Sequence, residues 1–182
     1  MNLLKLELGS GERPTPGYLH QDIIQLETPL DYCCPAWCVP MPEDSLSEVI
    51  AIAVMEHLRF KDFSKTMKHI YQLLKPGGKF YFDVPDIKVW ATYLFLVLQN
   101  PRMENSNIVP YSKEDIYKTM WGWQRWEGDE HKSAWIHDDV YEVVVKAGFS
   151  YVTDGLDDIK KRVHRDRFDR PENAHIYIKA VK

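Results

Sequence analysis

An α/β fold with a parallel sheet is what this sequence predicts, and two stretches carry the prediction. Residues 3–8 form a short apolar run that leads into Gly9-Ser10-Gly11, and a second extended run, 18–21, closes on Asp22. Residues 48–54 are nearly all apolar, as a strand buried on both faces should be. Phe63, Met67, Ile70, Tyr71 and Leu74 then repeat at helical spacing, so 61–75 is an amphipathic helix. Pro76-Gly77-Gly78 stops it, and 79–84 reads as the next strand. Strand, helix, turn and strand make a βαβ unit, hence parallel pairing through a right-handed crossover.

The remaining elements follow in chain order. Residues 25–45 read as loop, punctuated by Pro29, Pro35, Pro40 and Pro42. Asp86 can cap a helix running through about Gln99. Its core, 89–98, is apolar nearly all round and too short to span a bilayer, so it is buried, or covered in part by a second copy in a homo-oligomer. Ser112 with Asp115 resembles a capping box for a short helix to about Met120. Tyr117, Trp121, Trp123, Trp126 and Trp135 crowd one irregular stretch. Val140, Val143, Val144 and Ala147 mark another amphipathic helix, closed by Gly148. Residues 149–153 and 174–181 read as the last two strands, with a mixed-charge, solvated loop at 157–171 between them.

Composition sets bounds. A chain of 182 residues without linkers or repeats reads as one domain, 1–182. A net charge of −4 argues against a general nucleic-acid binder. No signal peptide and no membrane-spanning run are read, so the expected location is the cytoplasm. Cys33, Cys34 and Cys38 form an odd set without a C-x-x-C pair, which reads as buried thiols in a reducing compartment; no metal ligands are assigned.

The glycine turn carries the chemistry. Glycine lets a ligand approach the backbone closely, and an acid at the end of the next strand suits a ribose. A dinucleotide fingerprint would need a third glycine and a helix N-terminus. Here Glu12, Arg13, Pro14, Thr15, Pro16 and Gly17 follow, and a crossover of about ten residues holds barely one helical turn. A ligand with a ribose diol and no phosphate fits better, and S-adenosylmethionine is such a ligand.

At this point a family emerges. The segments Leu6-Glu7-Leu8-Gly9-Ser10-Gly11, Gly17-Tyr18-Leu19-His20-Gln21-Asp22-Ile23 and Val39-Pro40-Met41-Pro42-Glu43-Asp44-Ser45 occur in order. Ala53-Val54-Met55-Glu56-His57-Leu58 follows, then Leu73-Leu74-Lys75-Pro76-Gly77-Gly78-Lys79-Phe80 running into Val84-Pro85-Asp86. With Gly122-Trp123-Gln124, His131 and Lys146-Ala147-Gly148-Phe149, this set resembles the class I S-adenosylmethionine-dependent methyltransferases over nearly the whole chain. In particular it resembles a compact bacterial and phage, type 11-like branch often associated with surface-glycan genes.

The resemblance implies a three-layer, Rossmann-like sandwich with seven strands, six parallel and the last but one in order antiparallel. It implies that Glu7, Gly9, Ser10 and Gly11 line the methionine half of the cofactor and that Asp22 holds the ribose diol. Trp37, Cys38 and Val39 would flank the adenine, with Val54 and Met55 beneath the cofactor near the sulfonium. Arg13 stands where a further glycine is usual, the helix after the first strand is missing, and so are the N-terminal covering helices. The aromatic stretch 117–135, within a lid or acceptor-binding insertion at 100–136, is the expected cover.

For transfer to a hydroxyl, a general base helps. His57 follows the fourth strand of the family's order at the ligand end of the sheet, and is either that base or a packing residue at the junction. His131, in a polar, aromatic-rich loop, is a base or acceptor-binding candidate beside the surface reading. Asp86 is read as a helix cap rather than a base. Trp121, Trp123 and Trp126 could stack on a sugar or pack in a lid, and Gln124 and Arg125 could add polar contacts. The leading reading is a metal-independent methyltransferase acting on a small molecule or glycan intermediate. The alternatives are a cofactor-binding protein without transferase activity and, less favoured, a nucleic-acid methyltransferase, for which no N/D-P-P-Y/F signature occurs. The absent third glycine and the prolines disfavour a nicotinamide dehydrogenase.

Overall fold

A computed structural model describes residues 4–25, 27–163 and 174–182. Leu3, at the start of the expected first strand, and 164–171 of the expected mixed-charge loop lie outside them. Seven strands form one sheet in the order β3-β2-β1-β4-β5-β7-β6. They are β1 (Leu4–Leu8), β2 (Leu19–Asp22), β3 (Tyr32–Cys33), β4 (Leu46–Ala51), β5 (Leu74–Pro85), β6 (Tyr151–Asp154) and β7 (His175–Val181). Strand β7 runs antiparallel to both neighbours, β5 and β6, while the pairs from β3 through β5 are parallel. The expected topology is present.

Alternation along the strands sends two different sets of side chains to the two faces. On one, Leu6, Leu8, Val49, Ala51, Phe80, Phe82, Ile176 and Ile178 form the main core. Helices α1 (Phe60–Leu73) and α4 (His137–Lys146) cover it. Helix α1 buries Phe63, Met67, Ile70 and Leu73, the stripe that the spacing predicts. Trp135 belongs to this core: it is 4% exposed, with its ring 4.2 Å from that of Phe63. The opposite face carries a second, smaller apolar cluster, including Ile50, Ile52 and Ile159, with a polar network set into it. Buried Glu48 accepts hydrogen bonds from Tyr18 Oη and faces Arg162 Nη2 at 3.0 Å, and Arg162 lies 4.2 Å over the ring of Tyr81. Burial pushes the Tyr81 phenol up to about 12 and raises Tyr18 further, so both stay neutral at physiological pH and Tyr18 donates to Glu48.

Four local readings need correction. The first half of the expected loop at 157–171 begins as a short helix, α5 (Leu156–Lys160), because Leu156 and Ile159 pack over the second sheet face. Its partner charges are engaged rather than solvated, with Asp158 ion-paired to Arg162 and Lys179. Strand β5 starts at Leu74 rather than at 79, since Leu74 pairs with Leu46 before the register shifts. Gly77 and Gly78 sit inside that bulge and exchange backbone hydrogen bonds with Lys182. The loop 25–45 contains β3, and the cysteines are free thiols of which Cys33 and Cys38 are exposed rather than buried.

Helix α2 (Ile87–Gln99) is capped by Asp86, whose side chain accepts from Lys88 N. It buries Trp90, Tyr93 and Val97 in a separate cluster with Val109 and Ile116, and leaves Phe95 and Leu98 exposed. Helix α3 (Lys113–Trp121) begins with the expected capping box between Ser112 and Asp115. Among the described residues no helix is long and apolar enough to cross a membrane.

Candidate active site

The carboxyl ends of β1, β2 and β4 bring the sequence-assigned residues to one edge of the sheet, the end where open α/β sheets bind ligands. After β1 the chain turns through Gly9 and Gly11, both at φ 57°, and reaches β2 without a helix. A Cβ at Gly9 would collide with the side chain of Val54, so only glycine permits this approach of the two segments. Ser10 is buried, and its backbone N donates to Gln21 O at 3.0 Å. Asp22 Oδ2 accepts from Gly11 N at 3.1 Å and Oδ1 from Ile23 N at 2.7 Å, which fixes a half-exposed carboxylate beside the glycine turn.

Glu7 is fully buried and binds Thr15 twice, through Thr15 N at 2.6 Å and Thr15 Oγ1 at 2.8 Å. Its carboxylate thereby ties the proline-containing crossover to the end of β1. Gln21 also escaped the sequence reading. Its Oε1 accepts from Gly9 N at 3.2 Å and its Nε2 donates to Cys34 O, which links the glycine turn to the loop at 34–39. In that loop Trp37 is half-buried under Lys65, Cys38 is exposed and Val39 is buried, with its carbonyl accepting from His69 Nε2 at 3.1 Å. No spacing rule marks Gln21 or Thr15, because side-chain bonds to distant backbone leave no periodic trace.

Ala53 takes the left-handed conformation, φ 56°, at the end of β4. Its N–H donates to Asp83 Oδ1 at 2.8 Å, while Asp83 Oδ2 faces His175 Nδ1 at 3.2 Å with both side chains 2% exposed. The turn anchored there carries Val54, half-buried beside Gly9, and Met55, whose side chain is fully buried in the main core. Glu56 and His57 follow.

The two candidate histidines meet. The rings of His57 and His131 lie 4.9 Å apart, edge to face. Glu130 O accepts from His57 Nδ1 at 3.2 Å. A carbonyl can only accept, so the neutral His57 ring holds its proton on Nδ1 and its lone pair on Nε2. Glu56, also buried, places Oε1 4.0 Å from His131 Nε2. Its carbonyl accepts from Lys132 N at 2.9 Å and Ser133 N at 3.2 Å. These backbone bonds hold the segment around His131 against the turn after β4. A small recess lined by Pro85, Ile87, Trp90, Met120, His131 and Ser133 opens on the His131 side.

Between α3 and His131 the chain folds back on itself through a Gly122–Glu130 bridge. Gly122, φ 82°, has no room for a Cβ against Asp129 O. On this excursion Trp121, Trp123 and Trp126 are all about half exposed, unlike Trp135. Arg125 lies 4.2 Å over Trp126 and 5.6 Å over Trp123, and Asp129 fixes its guanidinium at 3.0 and 3.2 Å. Those Arg125 hydrogen bonds outweigh the opposing effect of burial and hold the Asp129 carboxyl below its usual range. Gln124, φ 53°, donates its side-chain amide to Trp121 O at 3.4 Å.

The sequence profile of a family described as methyltransferase domain matches residues 20–154. No curated protein matches the sequence. A methyltransferase from Archaeoglobus fulgidus, described as S-adenosylmethionine-dependent, superposes with a TM-score of 0.58 at 13% identity, over 99% of this chain and 86% of its own. One from Mesorhizobium loti does so with a TM-score of 0.54 at 16% identity, over 100% and 91%. A phosphoethanolamine N-methyltransferase from Haemonchus contortus, in complex with phosphomonomethylethanolamine and S-adenosylhomocysteine, gives 0.53 at 14% identity, over 100% of this chain and 49% of its own.

Proposed function

The chain belongs to the S-adenosylmethionine-dependent methyltransferases, and from that premise we propose that it methylates a hydroxyl of a small molecule or glycan intermediate without a metal in the transfer step. What carries this reading is the convergence of the glycine turn, Asp22 and the His57–His131 pair on one edge of the sheet. The residues fit the cofactor: the turn through Gly9 and Gly11 carries no Cβ at either glycine, Val54 packs against Gly9, and the carboxylate of Asp22 accepts from Gly11 N beside it. When bound, S-adenosylmethionine supplies a methyl group on an already activated sulfonium, which needs no Lewis acid. Asp22 holds the ribose diol, and Gly9, Ser10 and Gly11 hold the methionine half, with Glu7 keeping the crossover in place through Thr15. Trp37, Cys38 and Val39 flank the adenine, and Val54 backs the glycine turn, with Met55 packed behind it.

His57 is the base. Its Nε2 lone pair takes the acceptor's hydroxyl proton, and the Nδ1–H bond to Glu130 O holds the ring in that tautomer. His131 lies between His57 and the Glu56 carboxylate, whose negative charge faces the proton taken up there. Trp123 and Trp126, braced by Arg125 and accompanied by Gln124, offer flat faces for a sugar.

Calorimetric titration of S-adenosylmethionine and S-adenosylhomocysteine into wild type and Asp22→Ala tests the reading. Micromolar-range binding should weaken by about tenfold or more in the variant, ~1.4 kcal/mol. Absence of binding by folded wild type would overturn the proposal. The excursion at 117–135 is proposed as the cover over the acceptor, so bound S-adenosylhomocysteine should slow its proteolysis by several-fold. Equal cleavage rates with and without the ligand would argue that it is no lid.

A further inference from the structure

We propose that Glu56, His57 and His131 form a zinc site, and that a zinc ion held there switches the enzyme off. One carboxylate oxygen and one nitrogen from each ring all lie within 4.8 Å of one another. Zinc binds such atoms at about 2.0–2.2 Å, so rotations that draw them in by roughly an ångström complete a three-ligand set. Two imidazoles and one carboxylate suit zinc, whereas magnesium and calcium prefer all-oxygen shells.

The surroundings fit a ligating set as well as the side chains do. His57 donates its Nδ1–H to the Glu130 carbonyl, the bond by which a ligating histidine fixes its ring and raises the basicity of its other nitrogen. Glu56 and His131 come from distant segments, yet the bonds from Lys132 N and Ser133 N to Glu56 O lock those segments side by side. The entropic cost of binding is therefore smaller than for three free side chains. A small recess borders His131, the one of the three ligands that lines it.

The regulatory half of the inference rests on the base reading of His57. Zinc would occupy the Nε2 lone pair that the acceptor's proton needs, so metal and proton transfer exclude each other. The binding half does not depend on any acceptor or on the cofactor.

The experiment is zinc titration against a chromophoric chelator, with cobalt(II) absorption as a report on coordination. Wild type should take up one equivalent, and Glu56→Gln, His57→Ala and His131→Ala should each weaken uptake at least tenfold. The triple variant Cys33→Ser/Cys34→Ser/Cys38→Ser should retain it, which separates this site from the free thiols. S-adenosylhomocysteine binding and thermal melting report whether each variant is folded. The site is refuted if wild type binds no zinc, if the histidine variants bind normally, or if only the cysteine variant loses the metal. A chelator should leave turnover unchanged or raise it; loss of turnover on chelation would overturn the inhibitory role. Zinc uptake without any cofactor binding would sustain the site and sink the transferase reading.

Discussion

Asp83→Ala should lower stability by about 2–6 kcal/mol, because Ala53 N–H and the buried His175 ring both lose their carboxylate neighbour, at about 1–3 kcal/mol each. In a domain of this size each 1 kcal/mol moves the melting temperature by about 2–4 °C, so a fall of roughly 4–24 °C is expected by calorimetry. Asp83 and His175 are each 2% exposed and lie 3.2 Å apart, so the truncation strands a histidine in the interior. It also leaves Ala53 N–H without its carboxylate acceptor, at a residue held at φ 56°. A left-handed alanine costs about 1–2 kcal/mol by itself, and the Asp83 bond is what compensates it. Because that turn leads into Glu56 and His57, the variant should also bind S-adenosylhomocysteine more weakly. Asp83→Asn keeps an acceptor for Ala53 and should retain part of both. A variant Asp83→Ala within 1 kcal/mol of wild type by guanidinium unfolding would show that the pair contributes little.

The same pair illustrates what the sequence displays and what it conceals. Strands buried on both faces and helices with a clear stripe, such as α1, are legible because each residue's burial follows from its place in a repeat. Asp83 and His175 break the apolar runs of β5 and β7, and nothing local says that they meet. The polar network on the second sheet face has the same origin: Glu48, Tyr18 and Arg162 come from three separate segments, and only the fold pairs them.

Short elements fail for another reason. Strand β3 has two residues, too few for any alternation, and α5 hides two apolar residues among charges. Tryptophan is ambiguous in a third way. Trp135 is core and Trp123 is surface, and their side chains carry identical information until Phe63 appears beside one and Arg125 beside the other. The site divides along the same line. The glycine turn, Asp22 and the two histidines are visible as residue types at telling positions. The clasps that hold them, Glu7 on Thr15 and Gln21 on Gly9, are long-range bonds of side chain to backbone and become visible only with coordinates.

Gly9→Ala should cost both stability and cofactor binding through a single methyl group. It forces a side chain into φ 57°, for about 1–2 kcal/mol, and drives a carbon into Val54, for about 1–3 kcal/mol of overpacking. The combined loss, about 2–5 kcal/mol, should appear in guanidinium unfolding, and cofactor binding should fall below detection by calorimetry. Val54→Ala distinguishes the two causes. On its own it removes packing and should destabilise modestly, but in the Gly9→Ala background it vacates the space that the new methyl group needs. The double variant should therefore be more stable than the sum of the single changes predicts, with a coupling of about 1–2 kcal/mol. It should still bind S-adenosylhomocysteine poorly, because the backbone strain remains and the methyl group still lines the turn. Simple additivity would mean that Val54 and Gly9 do not press on each other. Recovered ligand binding would mean that the glycine serves only to make room for Val54, and that the turn does not hold the cofactor.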